Sequence, residues 1–241
     1  MEVVFLPSVK TYKTSSLRST SIISPAKMNQ KYIDFDLRFR HPSTFMIVGP
    51  SQSGKTRFVV KLIQRANQMI DRPPERVVWC YGSDQPDLFR ELSDSVEFVE
   101  GLPTTNILDG RRTLLIIDDL MTETDGRVTD LFTKGSHHKN ASVIYISQNL
   151  YNKGKENRTI SLNTHYLVLF KNPRDVAQIS HLGRQIFPER AKYFSESFTD
   201  ATSRPYGYLL VDLKSSTPDE LRLRAAIFAD EKYSTTVYLY K

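Results

Sequence analysis

The sequence predicts an α/β fold, a mostly parallel central sheet of about seven to eight strands with helices on its faces. Two observations predict it. From residue 44 onward short apolar runs alternate with longer stretches of helical periodicity, the signature of repeated strand-helix-strand units. The composition is that of a globular chain, with 39% hydrophobic, 25% charged and 11% aromatic residues, and 241 residues suffice for one sizeable domain.

In chain order, Ser and Thr make up nine of the seventeen residues of 8–24, and the first thirty residues carry four bases and one acid without sustained periodicity. Residues 1–30 are therefore expected to form a flexible basic tail ahead of a single domain over 31–241. A Ser-rich, acid-poor start is also typical of an organelle transit peptide, but the segment holds one arginine and no clear amphipathic helix. Strands are expected at 45–48, 77–81, 96–99, 113–118, 143–147, 166–170, 207–212 and 221–228, the last two as an antiparallel edge. Residues 54–70 set Phe58, Val59, Leu62, Ile63 and Ala66 on one helical face, and 173–187 opens with Pro173, suited to a first helical position. Trp79 and Cys80 fall in an apolar strand and are expected in the core.

Composition also excludes function classes. Apolar runs such as 114–117 and 166–170 fall far short of the ~18 residues that a helical membrane span needs, so no membrane partner is expected. The single cysteine, Cys80, cannot form an internal disulfide or a CxxC metal site, which points to a reducing intracellular compartment. His137 and His138 have no Cys or acid at metal-ligand spacing, so zinc is not expected there. Lysine and arginine total 33 against 27 acids, a net charge of +6 that favours a polyanionic partner. The charge is uneven: 81–110 holds seven acids and one base, whereas 151–192 holds eight bases and three acids. One face is expected to repel nucleic acid and another to attract it.

The strongest chemical signal follows the strand at 45–48. Gly49, Pro50, Ser51, Gln52, Ser53, Gly54, Lys55 and Thr56 form a complete P-loop between a strand and a helix. Its glycines let successive amides turn inward on phosphates, and the helix amino terminus adds partial positive charge. Lys55 is expected to reach the β- and γ-phosphates of ATP and Thr56 to place its hydroxyl on Mg2+, with Arg57 completing the nucleotide-binding segment.

Acids at the end of a buried strand supply the second half of such a site. The run 114–117 is followed by Asp118, the expected magnesium partner, and Asp119, which either polarises an attacking water or caps the next helix. The strand at 143–147 ends in Gln148 and Asn149. The Gln148 amide can donate to a γ-phosphate and accept from water, or can satisfy a strand-to-loop turn. Lys153 and Lys155, beside Tyr151 and Asn152, are candidates for gripping a nucleic-acid backbone without reading bases.

These residues, together with a distinctive set of flanking motifs, resemble the FtsK-HerA superfamily of DNA-pumping ATPases, with particular likeness to the genome-packaging ATPases of Polinton (Maverick) elements and adintoviruses. The flanking motifs are His41 and Pro42 ahead of the P-loop strand, the block 138–150, and residues 158–163, 169–175, 184–188 and 206–212. The likeness covers about residues 33–228. It implies the additional-strand topology of RecA and FtsK-HerA proteins, ATP hydrolysis with magnesium, and a homo-oligomeric ring, usually a hexamer. It further implies translocation of double-stranded DNA into a preformed capsid, with the capsid protein a further partner. The place of action would be the nucleus or cytoplasm at the site of capsid assembly, or the virion itself. Such motors complete each site with an arginine from the neighbouring subunit, for which Arg158, in the basic loop after the strand at 143–147, is the first candidate and Arg184 the second; Arg158 could equally contact DNA phosphate or solvent. The family often has Glu where this chain has Asp119, which makes the base assignment less secure than the metal assignment. Two other functions fit a P-loop scaffold, namely a small-molecule (nucleotide) kinase and a non-hydrolysing scaffold that binds DNA or capsid.

Overall fold

The computed structural model describes residues 11–16, 19–23, 35–104, 107–118, 120, 126–135, 139–151, 155–174, 176–228 and 235–240. Among them are the strands β1 (Thr11–Ser16), β2 (Ser19–Ile23), β3 (Thr44–Val48), β4 (Arg76–Tyr81), β5 (Glu97–Glu100), β6 (Thr113–Asp118), β7 (Ala141–Ser147), β8 (Tyr166–Phe170), β9 (Tyr208–Asp212), β10 (Leu223–Ala225) and β11 (Thr236–Tyr240). The α-helices are α1 (Lys55–Gln64), α2 (Ala66–Met69), α3 (Pro86–Leu92), α4 (Gly126–Asp130), α5 (Lys155–Leu162), α6 (Val176–Ile186) and α7 (Ala191–Ala201). The chain divides into two compact units, Arg38–Tyr166 and a second formed by Met1–Leu37 with Leu167–Lys241.

In the unit Arg38–Tyr166 the strands lie in the order β3-β7-β6-β4-β5, and every neighbouring pair is parallel. The strand β7 sits between β3 and β6, which is the additional-strand arrangement expected from sequence. All residues of β3, β6 and β7 are buried, as in parallel strands covered on both faces, which is why these runs are continuously apolar rather than alternating. From α1, the side chains of Phe58, Val59, Val60, Leu62 and Ile63 are buried, each worth roughly 1.5–3 kcal/mol of burial. The helix expected over 54–70 breaks at Arg65 (φ −115°, ψ 19°) and resumes as α2. Trp79 and Cys80 are fully buried, as expected. Burial, reinforced by the nearby Glu97 charge, pushes the Cys80 thiol up to about 12.

The second unit carries β2-β1-β11-β10-β9-β8 in that order. As expected, β9 and β10 pair antiparallel. The strands β1 and β2 fall within the segment 1–30 expected as a tail. Their β-branched Thr11, Thr14, Thr20, Ile22 and Ile23 favour extended backbone, and β1 gains a parallel partner in β11, from Thr11 opposite Thr236 to Ser15 opposite Tyr240. With these strands and β11, the described strands exceed the seven to eight expected. Further along, α6 begins at Val176, so Pro173 lies in the preceding turn and not at the first helical position.

Two local devices hold this unit. Arg224 and Asp212 form a buried ion pair at 2.7 Å, with side chains 3% and 5% exposed, and Arg224 also donates to the Leu37 carbonyl at 2.7 Å. At Gly207 any Cβ would lie 2.4 Å from the Ala201 carbonyl oxygen, so the chain can pass the end of α7 only without a side chain. Truncating one member of a buried pair strands the other charge. Arg224→Ala should therefore destabilise the protein by about 3–5 kcal/mol in urea unfolding, whereas the double replacement Arg224→Met with Asp212→Leu should cost markedly less.

Candidate nucleotide-binding site

The parallel register brings the carboxyl ends of four strands, β3, β7, β6 and β4, level. Val48 lies opposite Ser147, Asp118 opposite Ile146, and Tyr81 opposite Asp118. Gly49, Gln148 and the turn leading to Gln85 therefore leave one edge of the sheet beside Asp118, where parallel sheets bind ligands.

The other end of β3 is anchored by a polar network. His41 is buried; its Nδ1 lies 2.8 Å from Ser142 Oγ and its Nε2 lies 3.1 Å from Asn140 Oδ1. Asn140 Nδ2 donates to the Gly110 carbonyl, so its Oδ1 accepts, Nε2 of His41 carries the proton and Nδ1 accepts from the Ser142 hydroxyl. Ser142 Oγ in turn accepts from the Ser43 amide at 3.1 Å. The Asp71 carboxylate accepts from the His41 amide at 2.8 Å. The network ties the start of β3 to the start of β7 and so fixes where the phosphate loop emerges.

The loop itself is tightly turned. The Gly49 amide donates to the Ser147 carbonyl at 3.2 Å, the Ser53 amide to Pro50 at 3.3 Å and the Phe58 amide to Gly54 at 2.9 Å. Gln52 (φ 61°) and Gly54 (φ 106°) occupy the left-handed region, where glycine alone carries no steric cost. The Lys55 ammonium donates to the Gly49 carbonyl at 2.7 Å and to the Pro50 carbonyl at 2.9 Å. This arches the side chain back over the loop, where an ammonium can exchange carbonyl oxygens for phosphate oxygens. Thr56 follows in the first turn of α1, and Ser51 is exposed at the loop's tip.

Asp118, only 4% exposed, accepts from Gln85 Nε2 at 3.1 Å. The Ser53 hydroxyl is buried within the loop and has no hydrogen-bond partner among the described residues, an arrangement that is costly unless a ligand oxygen completes it. An orphaned hydroxyl, a lysine arched over backbone amides and a buried hard-oxygen carboxylate fit the phosphates of a nucleotide with magnesium. Thr56 and Asp118 would hold the metal, and the loop amides with Lys55 would hold the phosphates.

The arrangement is a parallel α/β sheet with a phosphate-loop sequence between β3 and α1. Among solved structures, the chain is similar to the genome packaging NTPase B204 of Sulfolobus turreted icosahedral virus 2 in complex with ATP-gammaS, at 12% identity and a TM-score of 0.46, over 73% of this chain and 94% of that one. It is also similar to a KaiC-like protein of the archaeon Pyrococcus horikoshii, at 12% identity and a TM-score of 0.43, over 83% and 91% of the two chains. No protein-family model matches the chain. No curated protein matches it.

The remaining expected site residues are placed as follows. Gln148 is exposed at the end of β7, next to a turn in which Ser147 Oγ donates to the Asn149 carbonyl at 2.8 Å. The Arg57 guanidinium pairs with Glu91 at 2.5 and 2.8 Å. Arg158 is exposed and stands on α5, not in the loop expected there, because 155–162 takes up helix. Arg184 is exposed on α6, in the second unit. Asp119, Lys153, His137, His138 and the Lys155 side chain lie outside the described residues. No helix among the described residues is long and apolar enough to cross a membrane. Sequence reasoning missed Gln85, a lone amide in an acidic run; the available signal was a polar residue just past a parallel strand and directly before Pro86, which opens a helix.

Burial holds the His41 imidazole below its ordinary value, against the opposing bond to Asn140. Below about pH 6.5 the unfolded chain binds a proton that folded His41 declines, so its contribution is full above that pH and is lost as pH falls towards the lowered value. Thermal unfolding should show His41→Gln less stable than wild type at pH 8, with the gap narrowing by pH 5.5; parallel curves would rule this role out.

Proposed function

We propose that this chain is an ATP-hydrolysing motor that translocates double-stranded DNA into a viral-type capsid, working as a homo-oligomeric, hexameric ring. The observation that carries the nucleotide chemistry is the Lys55 ammonium arched over a P-loop whose strand shares one sheet edge with buried Asp118. The DNA and capsid parts rest on the sequence block 138–188 and its likeness to FtsK-HerA genome-packaging ATPases. The place of action on this reading is intracellular, where capsids assemble.

In this mechanism Lys55 leaves its two carbonyls for the β- and γ-phosphates, and the loop amides orient the chain of phosphates. Magnesium, when bound by Thr56 and Asp118, neutralises charge on the transferred phosphoryl group. Asp119 accepts a proton from the attacking water, and Gln148 bridges water and γ-phosphate through its amide. Arg158, exposed on α5, is the first candidate to stabilise the charge in a neighbouring subunit's site, with Arg184 the second. Lys153 and Lys155 grip phosphates along the duplex without reading bases.

The test is steady-state ATP hydrolysis with and without linear double-stranded DNA. DNA should stimulate turnover, and Lys55→Ala should lower it by at least about a hundredfold. Admixed Arg158→Ala should inhibit wild type more than in proportion to its share, because sites are completed across subunits. Turnover that ignores DNA and dilutes in proportion would sink the motor reading. Phosphorylation of a nucleoside would favour the kinase, and tight ATP binding without hydrolysis the scaffold.

A further inference from the structure

The helix α3 is held at its start by Asp118 of the nucleotide site and in its last turn by α1. At its start, Gln85 occupies the N-cap position, yet its side chain makes no cap bond. The amide reaches instead across to β6 and donates from Nε2 to Asp118 Oδ2 at 3.1 Å. At the last turn, Glu91 accepts from Arg57 through both carboxylate oxygens, at 2.8 and 2.5 Å, and from Gln64 Nε2 at 3.0 Å. Arg57 and Gln64 are seven residues apart on α1, hence on one face of the helix that the phosphate loop opens. A short, stiff element thus runs from the P-loop helix to the carboxylate at the end of β6.

We infer that Gln85 is a positioning residue for magnesium, acting through Asp118, and that α3 is the strut that sets Gln85 by its grip on α1. The inference rests on reading the site as one for ATP and magnesium. A carboxylate at the end of a strand can rotate about its last torsion, and a donor on one oxygen fixes which way its lone pairs face. The donor is a neutral amide, so it orients the carboxylate without cancelling the charge that attracts the cation. A lysine or arginine in the same place would compete with the metal for that charge. Arg57, one of the two partners on α1, directly follows Thr56, so any displacement of α1 on nucleotide binding is carried through Glu91 to Gln85.

The experiment measures binding of a fluorescent ATP analogue to the full chain as a function of magnesium concentration, alongside thermal unfolding of the protein without nucleotide. The variants are Gln85→Met, which keeps the length and removes the donor, Glu91→Gln, Lys55→Ala and Asp118→Ala. Gln85→Met should raise the magnesium concentration for half-maximal binding by about tenfold or more, the range typical of groups that orient a metal's ligands. Its unfolding temperature should stay within about 3 °C of wild type. In the Asp118→Ala background the same substitution should change nothing further, because its route to the metal is gone. Glu91→Gln should shift the magnesium dependence in the same direction by a smaller factor. An unchanged magnesium dependence for Gln85→Met, or a loss confined to unfolding temperature, would overturn the inference while magnesium-dependent, Lys55-dependent binding by wild type kept the ATP reading intact. Failure of wild type to bind the analogue would overturn both.

Discussion

The strand β7 is hydrogen-bonded to β3 on one side and β6 on the other, in a register that sets Val48 against Ser147 and Asp118 against Ile146. A slip of one residue would turn every side chain of a strand to the opposite face, where the close-packed surroundings are shaped for different side chains. That single constraint brings the phosphate loop, the buried carboxylate and Gln148 to one edge. His41 reinforces it at the opposite end of β3, with its ring bonded to both Ser142 and Asn140 at the foot of β7.

Electrostatics then divides the site by depth. Asp118 is nearly inaccessible, and burying an anion is costly unless donors or a cation compensate it. The amide of Gln85 supplies one donor without supplying charge. Lys55, by contrast, is tied to two backbone oxygens, contacts that cost little to exchange for others of stronger charge. A fixed anion and a movable cation flank the loop, which suits a ligand that brings both phosphate and metal.

How much of this could be read from the chain depends on how far apart the interacting residues lie. The loop 49–56 and the acid after 114–117 are contiguous patterns, and each needs only its own strand to be interpreted. The pairing of β1 with β11 joins residues near 11 and near 236, and Ser/Thr content in 8–24 pointed towards a tail because its partner strand is invisible locally. Arg224 and Asp212 each look solvent-facing alone, and become a buried pair only when β9 and β10 are set side by side. Arg57 belongs to the phosphate motif by position, but Glu91, thirty-four residues on, claims its guanidinium. Gln85 is the same case: its place after a strand and before Pro86 is visible locally, but its partner is not until the pairing of β4 with β6 places Tyr81 opposite Asp118.

The burial of Cys80 has a practical side. The chain has one thiol, and it stands one residue before the end of β4, fully enclosed and with its ionisation pushed up to about 12. Thiolate, the species that reacts with maleimides and iodoacetamides, is therefore scarce and shielded at neutral pH. The folded protein is in effect already silent to such labels. A dye or spin probe attached to a cysteine introduced at an exposed position would report from that position alone, with the native residue left in place.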